Sequence, residues 1–236
     1  MNAYDIIIHD REKVNWEDVL MDEAGRKVID QLIKEYRHLE ELKKYNLPVN
    51  NKLLLHGSSG CGKTMTAKAI AHSLGKMIYI LNLSNFISAR IGETSQNLKL
   101  VFDKASREGA VLFLDEFDQI GKMRGSTDQD VGEMRRLVNT LIQLIDYFPE
   151  KALLVAATNH LDILDHALIR RFQCVVEYEM PAVEVLDKYY DKLLSAFPLH
   201  LQDIERKYEI SFAEAKDHIY TLVKARIIDE LESGTK

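Results

Sequence analysis

Eight consecutive residues carry the clearest chemistry in the chain: Gly57-Ser58-Ser59-Gly60-Cys61-Gly62-Lys63-Thr64, a match to G-x-x-x-x-G-K-[ST]. They follow the apolar Leu53-Leu54-Leu55 and open a helical pattern, the context in which that spacing means a phosphate-binding loop. Glycines let backbone wrap closely around phosphate, and amides at a helix N-terminus favour an anion. Lys63 would reach β- and γ-phosphates, Thr64 would offer its hydroxyl to Mg²⁺, and Met65 comes next in the same run. Cys61 reads as a small filler rather than a nucleophile.

Further along, the apolar stretch from Ala110 to Leu114 runs into Asp115-Glu116. A buried strand ending in two carboxylates behind a phosphate loop has the Walker B form. Asp115 would stand in the Mg²⁺ shell and Glu116 would orient or deprotonate the attacking water, while Asp118 reads as structural. The run ending Thr158-Asn159 presents an amide that could hydrogen-bond the lytic water or the γ-phosphate; alone, an Asn after a strand is a turn former. Arg170 and Arg171 are ordinarily surface charge, but a second basic group near a γ-phosphate supplies large rate enhancements. His160 and His166, flanking Asp162 and Asp165, fit no metal-binding helix pair, and Lys122, Arg124, Arg135 and Arg136 read as solvated or subunit-interface charge.

These residues need elements to hold them. Five short apolar runs, at 52–56, 77–83, 110–114, 152–157 and 174–179, are mostly continuous, as suits parallel strands covered on both faces. Between them Val28, Ile29, Leu32, Ile33, Tyr36 and Leu39 share one helix face, and Thr64 to Leu74 and Gly92 to Ser106 read as two more helices. Val131, Met134, Leu137, Val138, Leu141, Ile142 and Ile145 form another stripe. Strand and helix alternate as in a doubly wound α/β sheet. After Pro181 the strands stop. Stripes at Val185, Leu186, Tyr189, Tyr190, Leu193 and Leu194, then at Phe212, Ala215, Ile219, Leu222, Val223 and Leu231, predict a small helical lid over 182–236 beside a core over 1–181.

The 236 residues are 46% hydrophobic and 29% charged, enough for one sizeable core with a small appendage. The net charge of −6 argues against a partner held through nucleic-acid phosphates. Cys61 and Cys174 cannot build a disulfide framework, and Ile6-Ile7-Ile8 is too short for a signal segment. No apolar run approaches the roughly 18 residues of a membrane span. The expectation is a soluble cytoplasmic protein without membrane insertion.

In this order the segments resemble the AAA family of ATPases, within the AAA+ group, from Trp16 to Leu231. Trp16-Glu17-Asp18-Val19 resembles the family's entry segment, whose backbone lies beside adenine, although Asp18-Val19-Leu20-Met21 lacks the usual glycine. Gly92-Glu93-Thr94 with Asn97, Leu98 and Phe102 looks like the G-E-S-x-x-N-L-x-x-x-F stretch. Arg135-Arg136 with Asn139 looks like the R-R-x-x-N helix, and Asp165 to Phe172 like the second region of homology. The Arg170-Arg171-Phe172 form is closest to the branch holding microtubule-severing and membrane-complex-disassembling members. The resemblance implies an α/β P-loop NTPase fold, an αβα sandwich with a five-stranded parallel sheet and a small helical lid. It implies ATP or ADP with Mg²⁺, bound by Asp18, Val19 and Gly57 to Met65, with Thr64 and Asp115 on the metal. Glu116, Asn159, Arg170 and Arg171 would be catalytic, the arginines reaching into a neighbour's site in a hexameric ring that is monomeric if truncated or nucleotide-free.

One position departs from the family's unfoldases. Arg90, two residues before Gly92, stands where those members carry an aromatic that grips any chain by apolar contact. An arginine favours acidic or hydrogen-bonding partners instead. The leading reading is therefore a Mg²⁺-dependent ring ATPase that remodels or unfolds a protein partner. The alternative is a nucleotide-gated adaptor that threads no polypeptide, and a nucleic-acid motor ranks third.

Overall fold

The computed structural model describes residues 7–9, 12–88, 94–122 and 128–234. Each apolar run becomes a strand: β2 (Lys52–Gly57), β3 (Ile78–Asn82), β4 (Val111–Asp115), β5 (Leu153–Thr158) and β6 (Cys174–Tyr178), preceded by a short β1 (Ile8–His9). The sheet order is β1-β3-β4-β5-β2-β6. β3, β4, β5 and β2 pair in parallel, so that Leu54 of β2 and Leu114 of β4 both lie opposite Ala156 of β5. β6 runs the same way. At the start of β2 the Gln173 amide donates to the Lys52 carbonyl (3.1 Å), and at its end the Ser58 amide donates to the Tyr178 carbonyl (2.8 Å).

β1 is an addition to the five expected parallel strands. Ile8 and His9 pair antiparallel with Ile80 and Tyr79, covering the edge β3 would otherwise expose, and Ile7 is buried in the core beside it.

Helices fill the connections: α1 (Glu23–Arg37), α2 (Leu39–Lys44), α3 (Lys63–Ser73), α4 (Leu83–Ser88), α5 (Thr94–Glu108), α6 (Gln119–Lys122), α7 (Asp128–Asp146) and α8 (His166–Ile169), then α9 (Val183–Leu194) and α10 (Phe212–Glu232). On one sheet face Leu98, Val101, Phe102 and Ala105 of α5 and Leu137, Leu141 and Ile145 of α7 pack over Leu54, Leu112, Leu114, Leu154 and Ala156. The alternate residues Leu53, Leu55, Val111, Phe113 and Val155 are equally buried on the other face, where α3 lies on β4 and β5. Burial on both faces is why these strands read as unbroken apolar runs.

Asp22 caps α1 by accepting the Ala24 and Gly25 amides, and Ile29, Leu32, Ile33 and Tyr36 are its buried stripe. The stripe is narrower than expected. Val28 is 36% exposed, and Leu39 falls in α2 because the chain breaks helical geometry at His38 (φ −112°, ψ 20°).

The chain packs as two compact units: Met1–Gly57 with Lys63–Glu177, and Ser58–Gly62 with Tyr178–Lys236. In the second, α9 packs on α10 around Leu186, Tyr190, Leu194, Ala215, Ile219 and Val223. Ser211 and Glu214 form a reciprocal capping box at the start of α10. Leu231, expected in the buried stripe, is instead 76% exposed. The 21 residues of α10 outrun the 12 of α9, so its buried positions end at Val223.

Candidate active site

The phosphate-loop motif forms the turn from β2 into α3. Its glycines Gly57, Gly60 and Gly62 have φ of 118°, 73° and 106°, a backbone that side-chain-bearing residues resist. At the base of the turn the Lys63 ammonium donates to the Gly57 carbonyl at 2.8 Å. Lys63 is 8% exposed, so a cation is held against the loop without being lost to solvent. Met65, in the first turn of α3, is 40% exposed.

The tip of the turn, Ser58–Gly62, packs within the second unit. The Ala213 amide of α10 donates to the Gly60 carbonyl at 3.2 Å, and a Cβ added at Gly60 would stand 2.6 Å from Ser211 Oγ. Cys61 is 1% exposed, its Sγ lying 3.6 Å from the Ser59 carbonyl and 3.8 Å from Met180 Sδ. That environment suits the filler role.

Asp115 ends β4. Burial pushes its carboxyl above the usual range and the Glu116 charge adds to this, while the Glu116 amide, the Lys63 ammonium and a hydrogen bond from the Thr64 hydroxyl oppose it. Thr64, Lys63 and Asp115 therefore form one cluster. Glu116 sits at φ 54°, and its amide bonds Asp115 Oδ1 at 2.9 Å. The next amide, of Phe117, donates to the Ala157 carbonyl of β5 at 2.8 Å.

Asp118 is 2% exposed, and its Oδ1 accepts the Thr158 hydroxyl at 3.1 Å. Thr158 Oγ1 in turn accepts the His160 amide at 3.0 Å. Asn159, exposed between them, is thereby set at the end of β5. Lys63, Thr64, Asp115, Glu116 and Asn159 all lie where β2, β4 and β5 end, the edge at which open α/β sheets bind ligands.

Asp18 and Val19 belong to a 3₁₀ turn (Trp16–Asp18) and its cap. Val19, 1% exposed, packs with Val14 against Ala69 of α3. Its amide donates to the Trp16 carbonyl (3.2 Å), and its own carbonyl accepts the Arg26 guanidinium. Both Val19 backbone groups are thus engaged internally.

Arg170 and Arg171 lie apart from that cluster. Arg171 reaches Asp146 at the end of α7, and Gln173 binds the Asn51 and Lys52 amides at the start of β2. The six residues of β2 separate that end from the phosphate loop by about 17 Å.

The Gly92-Glu93 stretch and Arg90 lie outside the described residues, as do Arg124 and the Arg135 side chain. Arg136 and Asn139 are exposed on α7. Four features escaped sequence reading. Asn82, aligned with Asp115 across β3 and β4, uses its Oδ1 on the Asn85 amide. The Asp118–Thr158 pair and Asp146 depend on contacts distant in sequence. Only the Ser211-to-Glu214 capping box had a legible signal, Ser-x-x-Glu before an apolar stripe.

The family model described as "ATPase family associated with various cellular activities (AAA)" matches residues 53–180. An uncharacterized AAA family ATPase of Sinorhizobium fredii is 32% identical over 230 residues, covering 96% of this chain and 69% of that protein. The ATP-dependent zinc metalloprotease FtsH of Lachnoclostridium phytofermentans is 32% identical over 190 residues, 76% of this chain and 33% of that protein. A proteasome-associated ATPase of Mycobacterium tuberculosis is 28% identical over 85% of this chain, which spans 37% of it. Among solved structures, the FIGL-1 AAA domain in complex with ADP matches 97% of this chain and 80% of that one, with a TM-score of 0.75 at 21% identity, a likeness of fold.

Proposed function

This chain belongs to the AAA family of ATPases, and on that premise we propose that it is a Mg²⁺-dependent ATP hydrolase that assembles into a ring and remodels a protein partner. The observation that carries the reading is the convergence of Lys63, Thr64, Asp115, Glu116 and Asn159 at one edge of the sheet, with Arg170 and Arg171 toward the other. A site needing an arginine from that pair takes it from a neighbouring subunit.

Lys63 turns from the Gly57 carbonyl to the β- and γ-phosphates. The Thr64 hydroxyl and the desolvated Asp115 carboxylate are hard oxygen donors of the kind that suit Mg²⁺, which would neutralise the phosphate oxygens. Glu116 orients the water and accepts its proton, and Asn159 hydrogen-bonds the γ-phosphate or that water. Asp18 and Val19 border the adenine by their position in the chain, since the Val19 amide and carbonyl are already engaged by Trp16 and Arg26. Residues 1–181 act as the nucleotide-binding core and 182–236 as a helical lid, in the cytoplasm. The names of the FtsH metalloprotease and the proteasome-associated ATPase support a protein substrate. Among the described residues no helix is long and apolar enough to cross a membrane.

Specific ATPase activity measured against protein concentration tests the assembly. Activity per subunit rising with concentration is the expected result; a high activity independent of concentration would mean a site complete within one chain. Arg90 favours the second reading, a nucleotide-gated adaptor. ATP-dependent unfolding of a folded reporter separates the two, because only the remodelling ATPase produces it.

A further inference from the structure

We propose that the two adjacent arginines have divided roles: Arg171 is a strut locked by Asp146, and Arg170 alone is presented to a neighbouring subunit's phosphate, which makes Asp146 a positioning residue. The inference rests on the ring-ATPase reading above and names which arginine completes the site.

The two side chains leave the end of α8 into different surroundings. Arg171 Nε lies 2.9 Å from Asp146 Oδ1, and the Arg171 side chain is 27% exposed. That Nε is buried and out of line for a hydrogen bond, so Asp146 holds it by charge. The same guanidinium donates through Nη1 to the Ala167 carbonyl within its own turn. Asp146 also acts on Lys52, whose ammonium senses Asp146 and Glu150. For Arg171 to extend outward, both anchors must break and Asp146 must lose its partner.

Arg170 carries no such constraint. It is exposed, and its side chain makes one hydrogen bond among the described residues, from Nε to the His166 carbonyl at 3.3 Å. A guanidinium so held can swing to a phosphate at little cost. Phe172, 5% exposed and edge-to-face with Phe117 at 5.6 Å, anchors the backbone from which both arginines project. With Arg171 fixed, Arg170 leaves the turn in a set direction, and orientation of that kind is worth orders of magnitude in rate.

The test measures kcat, KM, nucleotide Kd and thermal unfolding on the full chain. Arg170→Ala should lower kcat by about 10³-fold or more with Kd unchanged. Asp146→Asn should lower kcat about tenfold with KM and Kd unchanged. The charge-swapped pair, Asp146→Arg with Arg171→Asp, should recover to within about tenfold of wild type, while each swap alone stays about 100-fold below it. A swapped pair that unfolds normally and binds nucleotide, yet is as inactive as Arg170→Ala, overturns the strut role, because Arg171 itself must then meet phosphate. If the swapped pair does not fold, Asp146→Asn decides: a tenfold loss of kcat sustains the proposal and an unchanged kcat overturns it. Failure of the underlying ring reading is seen separately, as wild-type activity per subunit that does not rise with concentration.

Discussion

At Glu116 the backbone adopts φ 54°, a left-handed conformation that costs a side-chain-bearing residue about 1–2 kcal/mol. That strain sits on the residue to which we assign water activation, and two substitutions separate the roles. Glu116→Gln should keep nucleotide binding and lose turnover without gaining stability. Glu116→Gly should lose turnover and raise the thermal midpoint by about 2–4 °C. Equal midpoints for the two variants would mean the conformation is unstrained. Asp115 gives a pH-linked case. Its folded carboxyl binds a proton more tightly than the unfolded chain's, chiefly through burial. Stability from this group therefore falls as pH rises from the ordinary carboxylate value through the raised one, and the deficit persists at neutral pH. Asp115→Asn should raise the midpoint of the nucleotide-free protein at pH 7 and abolish stabilisation by added Mg²⁺ with ATP. A lower midpoint at pH 7 would show that Lys63 and Thr64 outweigh burial.

At the scale of elements, the site depends on how the ends of β4 and β5 are tied together. The Phe117 amide reaches the Ala157 carbonyl, and Thr158 links Asp118 to the His160 amide. Thr158→Val keeps the shape and removes both hydroxyl contacts. It should cost about 1–3 kcal/mol of stability and lower kcat about tenfold, with nucleotide Kd unchanged because Lys63 is untouched. Urea unfolding and steady-state kinetics measure the two effects, and wild-type kcat would detach Asn159 from this tie. The phosphate-loop turn makes a second element-scale case. Gly60→Ala adds a Cβ 2.6 Å from Ser211 Oγ on a backbone at φ 73°. It should cost about 1–2 kcal/mol or more and weaken ATP binding. Titration with a fluorescent nucleotide checks this, and wild-type affinity would show that the turn relaxes freely.

For the whole molecule, a site shared between subunits predicts complementation. Lys63→Ala disables its own phosphate loop and can still lend an arginine; Arg170→Ala does the reverse. In a head-to-tail ring an equimolar mixture of these two inactive variants should regain up to about a quarter of wild-type activity. A mixture no more active than its parts would contradict the shared site.

Much of this was legible in the linear order of residues because local chemistry suffices for it. Glycines with lysine and threonine at fixed spacing, a strand ending in Asp115-Glu116 and unbroken apolar runs each act over a few residues, and the five parallel strands follow from them. The helical stripes were legible too, but their limits were not: Leu39 and Leu231 match the periodicity yet lie beyond where α1 and the α9–α10 core end. What only tertiary structure decided are pairings across long separations in the chain. β1 closes the β3 edge some seventy residues away, Thr158 reaches back forty residues to Asp118, and Asp146 waits for Arg171. A single charged residue at a helix end looks alike in sequence whether it faces water or a guanidinium; its role is set by what folding brings against it.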